Sequence, residues 1–354
     1  MKIAAVRTRT MRVSLTRPYA IAGGHWEEVE LAFCEVHDAA GRVGFGQASP
    51  AEEVTGENFS DCATQLESAQ LDWLVGQDAE AIDRILVRAR QVLSGPAARA
   101  ALDMALFDLR ARSAGLPLVE QLGRVHAKLA TSITIGVKSL EETLAEAREY
   151  LGRGFRVIKV KIGVDVEADL ERLTKLREAH GQAIVLRADA NQGYDVPTLE
   201  HFLARSAALD LEMLEQPLPP GEDHALKKLS AALRRKLVAD ESVHDAQGLE
   251  RMLATGPMFG IVNIKLMKCG GIAEALRMAR VAERAGLELM WGCMDESVLG
   301  IAAALHAAYA CPATRYLDLD GSLDLAEDPF SGGFALDGDR METLPRPGLG
   351  VRPT

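Results

Sequence analysis

The chain has 354 residues, 48% hydrophobic and 26% charged, which is enough to bury one large core and a smaller one. Its net charge of −11 disfavours nucleic acid and anionic membrane surfaces as partners. The cysteines (Cys34, Cys62, Cys269, Cys293, Cys311) are odd in number and contain no Cys-x-x-Cys pair. That argues against a disulfide framework or zinc site and for a reducing compartment. Residues 1–20 scatter basic side chains and contain no apolar h-region, and no apolar run reaches membrane-spanning length, so a cytoplasmic protein is expected.

The first 120 or so residues read as α+β. Residues 3–15 and 28–36 alternate as strands do, and Gly41-Arg42 suits a turn into a strand over 43–47. From Asn58 the pattern becomes helical. Ala101, Leu102, Ala105, Leu106 and Leu109 recur at helical spacing and predict a buried helix over 97–112, ended by Gly115-Leu116-Pro117. Residues 21–26, with Gly23-Gly24, and residues 49–58 read as loops between regular elements, where binding groups often lie.

After Gly123 short apolar runs alternate with longer helical segments. Strands are expected at 132–136, 157–161, 184–189, 211–215, 237–240, 261–265, 287–291 and 316–320, with helices between, for example over 141–151, 166–180 and 272–285. Eight such units predict a parallel β/α barrel. The rival, a doubly wound sheet, calls for a glycine-rich phosphate turn after the first strand, and the sequence has none.

Val157-Ile158-Lys159-Val160-Lys161 sets two lysines on one face of a strand whose other face is apolar. An exposed strand would present lysines this way too, but here a helical segment precedes it, as in a buried parallel strand. Mutual repulsion would lower the pKa of at least one ammonium toward the range of a useful base. Lys161, Asp189, Glu215, Asp240 and Lys265 follow at separations of 28, 26, 25 and 25, and Asp318 comes 53 residues later. Each step is one βα unit and the last spans two, so the six side chains converge on one rim, the end where such barrels place their chemistry. Asp189, Glu215 and Asp240, without histidine or cysteine, suit a hard cation: Mg²⁺ first, Mn²⁺ second. Glu241 is one residue out of phase and ranks below Asp240. Asn191 and Arg187 are expected to orient these groups. Lys161 and Lys265, on strands two and six, face each other across the barrel. A carbon held between them can lose a proton from one face and gain one on the other, with the metal stabilising the enediolate between the steps.

Lys159-Val160-Lys161, Asp189-Ala190-Asn191, Glu215-Gln216-Pro217, Asp240-Glu241-Ser242 and 263–268 (Asn-Ile-Lys-Leu-Met-Lys) together resemble the enolase superfamily, in its muconate-lactonising-enzyme-like subgroup, over nearly the full length. The resemblance implies a modified (β/α)7β barrel, TIM-like, under an α+β capping domain. The cap would span 1–122 and the barrel 123–320, with 321–354 returning to the cap. It also implies Asp189, Glu215 and Asp240 as Mg²⁺ ligands, Lys161 and Lys265 as the acid/base pair, and Lys159 as the neighbour that tunes Lys161. Lys or His bases with Mg²⁺ are the pattern for enolisation in that superfamily.

Asp318-Leu319-Asp320 is similar to the signature of dipeptide epimerases, where the pair holds the substrate's free α-ammonium; an acidic turn at Gly321 is the plainer reading. The implied activity is inversion of the α-carbon of a dipeptide's C-terminal residue. N-acylamino-acid racemase or o-succinylbenzoate synthase is the alternative, and a non-catalytic binding barrel the outsider, because both lysines and all three carboxylates are present. Relatives acting on L-Ala-L-Glu commonly carry an arginine where alignment through Arg17-Pro18-Tyr19 sets Gly24. With His25 as a partial substitute, and with Glu52, Glu53, Asp295 and Glu296 facing the same space, a hydrophobic or basic C-terminal residue is expected over glutamate. The expected partner is thus a small dipeptide; the sequence allows a homo-oligomer without indicating one.

Overall fold

The computed structural model describes residues 1–21 and 24–354. The N-terminal unit is a three-stranded antiparallel sheet of β1 (Ile3–Ile21), β2 (Gly24–Asp38) and β3 (Val43–Ala48), backed by helices α1 (Ile82–Val92) and α2 (Pro96–Ala114). The β1–β2 hairpin is longer than the sequence pattern predicts, and pairing runs out to Ile21–Gly24. Alternation is lost between Ser14 and Tyr19 because the register shifts there. At that point β1 turns to the C-terminal segment: Thr16 N–H donates to Asp324 C=O at 2.7 Å, and Ala326 N–H to Ser14 C=O at 2.9 Å. In the expected loop at 21–26, Ile21 and residues 24–26 instead belong to the paired strands, and Ala22 and Gly23 lie outside the described residues.

The predicted buried helix is α2. Proline occupies its first turn and Gly115 ends it in the left-handed region at φ 69°. Its Asp103 reaches out of the cap and accepts hydrogen bonds from Ile272 N–H and Ala273 N–H, the first free donors of a barrel helix. Gly271 makes this approach feasible, since a Cβ there would stand 2.4 Å from the Asp103 carboxyl carbon.

Eight parallel strands follow: β4 (Ile133–Ile135), β5 (Val157–Lys161), β6 (Val185–Asp189), β7 (Met213–Glu215), β8 (Leu237–Ala239), β9 (Ile261–Ile264), β10 (Glu288–Gly292) and β11 (Thr314–Asp318). They are hydrogen-bonded in sequence order, and Thr131 bridges to Leu317, so the ends of the sheet meet. Each of the larger connections carries a helix, such as α3 (Leu140–Gly152), α4 (Val166–His180) and α5 (Ile272–Arg284). A capping box of Ser139 and Glu142 starts α3, and the Asp165 side chain caps α4. Met213, Val238, Ile261 and Met290 fill the lower barrel with Tyr316.

Residues 321–354 touch both units. Phe330 packs against Phe33 and Phe45 of the cap sheet at ring distances of 5.6 and 5.4 Å, and Leu349 N–H donates to Asp108 of α2 at 2.7 Å. Among the described residues no helix is long and apolar enough to cross a membrane.

Candidate active site

Strand register builds the rim. Lys161 of β5 stands beside Asp189 of β6, and Asp189 beside Glu215 of β7. Asp240 and Lys265 lie one residue beyond β8 and β9. Lys161 and Lys265 rise from strands four places apart in an eight-stranded barrel, on opposite sides of a cavity of about 340 Å³ that both help to line. The cap closes this cavity from above with Tyr19, Trp26, Ser49 and Glu53.

The charges are closely interleaved. Lys159 Nζ, almost fully buried, lies 3.0 Å from Asp189 Oδ2, 2.7 Å from Glu215 Oε2 and 2.7 Å from Asp318 Oδ2. Lys161 Nζ donates to Asp189 Oδ2 at 2.8 Å and to Asn191 Oδ1 at 3.0 Å. Lys265 Nζ lies 2.8 Å from Asp240 Oδ2, and Lys268 donates to the other oxygen of the same carboxylate. Burial drives Lys159 and Lys265 toward neutrality, but the carboxylates outweigh it and hold both ammoniums above the ordinary lysine range. For Lys159, then, the expected repulsion between the two lysines of β5 is a lesser effect than attraction to three carboxylates. Burial likewise pushes Asp189 and Asp240 up, yet their lysine partners keep both below the usual carboxylate range. Glu215 is pushed up to about 7 by burial and by Asp189, and Glu241 to about 6 by burial and Asp240.

Among the described residues no three His, Cys, Asp or Glu side chains stand ready as a metal cage, because ammonium groups sit between the carboxylates. The donor set nonetheless fits a cation. Glu241 Oε2 is a buried oxygen without a hydrogen-bond donor, Glu215 Oε2 and Asp240 Oδ2 are met by the ammoniums of Lys159 and Lys265 alone, and the ligands are all hard oxygens. Glu241, ranked below Asp240 on phase, thus points into the same cluster, where Asn191 Nδ2 donates to its Oε1 at 3.4 Å.

The motif residues between the carboxylates have structural work. Gln216, at φ 30°, accepts hydrogen bonds on Oε1 from Asp240 N–H and Ser242 N–H, which locks the ends of β7 and β8 together. Asn191, at φ 41°, spans Lys161 and Glu241. Asn263 donates to Glu215 Oε1 at 2.6 Å. A Cβ at Gly292 would press on both Asn263 and the Lys265 side chain, at 2.7 and 3.1 Å, so only glycine leaves room for them. The roles of Lys268, Asn263 and Gln216 were missed in the sequence; each lies within a motif, and only the strand-to-strand contacts expose what it does.

Four expectations need correction. Arg187 does not touch the rim carboxylates: it bonds Glu212 at 2.7 Å, Leu317 C=O at 2.7 Å and Ser132 Oγ at 3.2 Å, one layer below the rim. It stands two residues below Asp189, and its reach is to the seam where β4 meets β11. Asp318 and Asp320 do not share the last strand, which ends at Asp318. Asp320 lies in the turn beyond and accepts from Thr134 N–H at 2.7 Å, although both line the cavity. Gly24 and His25 are exposed at the hairpin end and are not among the cavity-lining residues; Trp26, on the same strand face as Gly24, lines the cavity, stacked on Tyr19 at 5.8 Å. Of the acidic residues expected to face the substrate, Glu53 and Asp295 line the cavity, whereas Glu52 and Glu296 do not. Glu296 is buried behind the wall, accepting from Met294 N–H at 3.0 Å.

Asp295 accepts a 2.6 Å hydrogen bond from Tyr19 Oη and is pushed up to about 6, chiefly by burial. Asp320 is pushed up to about 7 by burial and by Asp318. Part of the cavity wall is a network in which Glu146 takes both Arg17 at 2.9 Å and Lys138 at 2.7 Å.

Residues 3–123 match the family model "Mandelate racemase / muconate lactonizing enzyme, N-terminal domain", and residues 142–354 match "Enolase C-terminal domain-like". The chain is 51% identical to the L-Lys-D/L-Arg epimerase of Methylococcus capsulatus over 99% of both chains. It is 34% identical to the L-Ala-D/L-Glu epimerase of Bacillus subtilis over 99% of this chain and 97% of the relative. A crystal structure of the Methylococcus capsulatus dipeptide epimerase, complexed with Mg and L-Arg-D-Lys, matches with a TM-score of 0.97 over 99% of both chains at 51% identity.

Proposed function

The chain belongs to the mandelate racemase / muconate lactonizing enzyme family of the enolase superfamily, and from that premise we propose that it is a Mg²⁺-dependent dipeptide epimerase with a preference for cationic side chains. The observation that supports the reading best is the pair Lys161 and Lys265 on opposite walls of one cavity, with Asp189, Glu215 and Asp240 between them and Asp318 and Asp320 to one side.

In this reading Asp189, Glu215 and Asp240 hold Mg²⁺, and Glu241 supports them. Mg²⁺ neutralises these carboxylates and draws electron density from the substrate carboxylate, which makes the neighbouring α-hydrogen acidic. One lysine, as the neutral amine, takes that proton from one face of the α-carbon. The other, as the ammonium, returns a proton to the opposite face, and the configuration inverts through an enediolate. Lys159 stays charged and stabilises the added negative charge. Asp320 and Asp318 receive the free α-ammonium of the N-terminal residue, a group that N-acylamino acids and succinylbenzoate lack. The carboxylates on the cavity walls favour lysine or arginine side chains, in keeping with the dipeptide bound by the relative.

The test is a dipeptide panel incubated with Mg²⁺ in D2O, with loss of the α-proton signal followed by NMR. Lys- and Arg-containing dipeptides should exchange the α-proton of the C-terminal residue, and faster than L-Ala-L-Glu. Exchange in no dipeptide sinks the activity; faster exchange of L-Ala-L-Glu sinks the preference.

A further inference from the structure

The carboxylates that line the cavity differ in what they are free to bind. Glu28 and Glu30 are held by Arg12 at 3.2 and 2.7 Å, Glu146 by Arg17 and Lys138, Asp295 by Tyr19, Asp318 by Lys159 and Ser132, and Asp320 by Thr134 N–H. Asp324 and Glu53 remain: among the described residues neither side chain has an ion pair or a hydrogen bond, yet both line the cavity. They stand on different units. Asp324 follows the last barrel strand, in a turn closed by Leu323 N–H donating to Asp320 C=O at 2.8 Å. Glu53 lies in the cap, in the short helical turn Glu52–Thr55.

We propose that these two carboxylates read the two side chains of a dicationic dipeptide separately: Asp324 takes that of the N-terminal residue, and Glu53 that of the C-terminal residue. The inference rests on the dipeptide epimerase reading. If the α-carboxylate lies on the cation that Asp189, Glu215 and Asp240 would hold, and the α-ammonium at Asp318 and Asp320, the substrate backbone spans the cavity in one direction. The N-terminal side chain then leaves beside Asp320, and Asp324 is four residues further along the same turn. A lysine or arginine stem bridges that gap while its head remains in the cavity. Arg17, Lys138 and Arg153 lie near enough to attract Asp324, but Arg17 and Lys138 form their ion pairs with Glu146 and Arg153 forms its own with Glu149, so none is in contact with Asp324. The C-terminal side chain leaves from between Lys161 and Lys265 and points up to the cap, where Glu53 stands at the rim. Asp324 is half-buried and Glu53 exposed, so the first pair should be the stronger.

The test compares kcat/KM for L-Lys-L-Ala, L-Ala-L-Lys and L-Ala-L-Ala in wild type, Asp324→Asn, Asp324→Glu and Glu53→Gln. Asp324→Asn should lower kcat/KM for L-Lys-L-Ala by about tenfold, through KM, while L-Ala-L-Lys and L-Ala-L-Ala change less than twofold. Asp324→Glu should recover most of the loss. Glu53→Gln should lower L-Ala-L-Lys alone, by about threefold. Equal losses on all three substrates, no loss on any, or the two effects exchanged between variants would overturn the assignment. Wild-type protein that turns over no dipeptide overturns the function itself, and is seen before any variant is compared.

Discussion

Lys159 Nζ lies 2.7 Å from Asp318 Oδ2, so the first aspartate of the Asp-x-Asp pair already has the first lysine of the Lys-x-Lys pair as its partner. Ser132 Oγ donates to the other oxygen of Asp318 at 2.5 Å. Among the described residues the Asp320 side chain has only a backbone donor, Thr134 N–H. The pair is therefore unequal, and Asp320 is the carboxylate better able to accept a substrate ammonium. Asp320→Asn should reduce kcat/KM for L-Lys-L-Arg roughly ten- to hundredfold, the scale of a charged hydrogen bond, and should affect an N-acetylated dipeptide far less. Asp318→Asn should impair both substrates alike, because it also removes a partner from buried Lys159. Steady-state kinetics on the two substrates separates these outcomes; equal sensitivity of both substrates to Asp320→Asn would rule out the ammonium role.

Metal removal should abolish turnover without unfolding the protein. The rim carboxylates already have ammonium partners at 2.7–3.0 Å, so the metal-free site is not a bare cluster of negative charge. Treatment with EDTA should leave far-UV circular dichroism unchanged, and Mg²⁺ should restore deuterium exchange. Ligand linkage raises stability by about 2.7 kcal/mol when Mg²⁺ reaches a hundred times its Kd, so Tm should climb with added Mg²⁺. Full activity after exhaustive chelation, or a Tm indifferent to Mg²⁺, would remove the metal from the mechanism.

The two lysines should be separable by stereochemistry. Lys161→Ala and Lys265→Ala should each lose epimerisation by at least about a thousandfold, a loss at the upper end of what one general acid–base group contributes. Each should still exchange the α-proton of the single epimer that presents it to the surviving lysine. NMR of L,L and L,D dipeptides in D2O reads this directly. Epimerisation at the wild-type rate in either variant is the result that contradicts two-base transfer.

The barrel was legible because its signals are local and periodic. Eight apolar runs with a charged residue at nearly every end keep phase with the βα unit, and every one of those runs is a strand, with boundaries moved by no more than two residues. The last run moved most: Tyr316 to Asp320 was expected, and Thr314–Asp318 is found, because Thr314 takes the Trp291 indole N–H and starts the pairing earlier. What the sequence hid depends on contacts between distant segments. Arg187 has the phase of a rim residue, and only the barrel seam reveals that it serves Ser132 and Leu317. Gly24 and His25 were aligned as substrate contacts, but they are exposed at the hairpin end, and Trp26, two residues on and on the same face as Gly24, is the residue that lines the cavity. Asp324 carried no signal at all, since nothing in its neighbours says that residues 321–326 fold against β1.

Asp103 offers a pH effect far from the cavity. Burial pushes its carboxyl up to about 7, although Ile272 N–H and Ala273 N–H favour the charged form. An unfolded aspartate titrates near 3.9. Because the folded value is the higher one, this group contributes stability fully below pH 4 and loses it as pH rises through 7. In Asp103→Asn that loss is gone. The variant's Tm minus the wild-type Tm should therefore rise by a few degrees between pH 4 and pH 8, measured by calorimetry at fixed ionic strength. A difference that stays flat or falls over that range would contradict the buried, proton-binding Asp103.

Tyr19 and Asp295 join the cap hairpin to the barrel at the mouth of the cavity. Tyr19 Oη donates to Asp295 Oδ2 at 2.6 Å, Trp26 stacks on the tyrosine ring, and Ser49 Oγ of the cap donates to the Asp295 backbone C=O at 2.6 Å. None of these groups hydrogen-bonds Lys161 or Lys265, so the role to test is that of tying the hairpin to the barrel beside the cavity. Tyr19→Phe keeps the stacked ring and removes one hydroxyl, leaving a buried carboxylate short of its donor at a cost of about 1–3 kcal/mol. That cost falls on the closed form, in which the hairpin meets the barrel. KM should therefore rise about tenfold, while kcat, set by the lysines, should change less than threefold. Raising the pH should widen the KM gap, because Asp295 ionises near pH 6 and the tyrosine donor matters most once it carries charge. Kinetics of Tyr19→Phe at pH 6 and pH 8 checks both parts. A fall in kcat with KM unchanged would instead place Tyr19 in the chemical step and end its assignment as a latch.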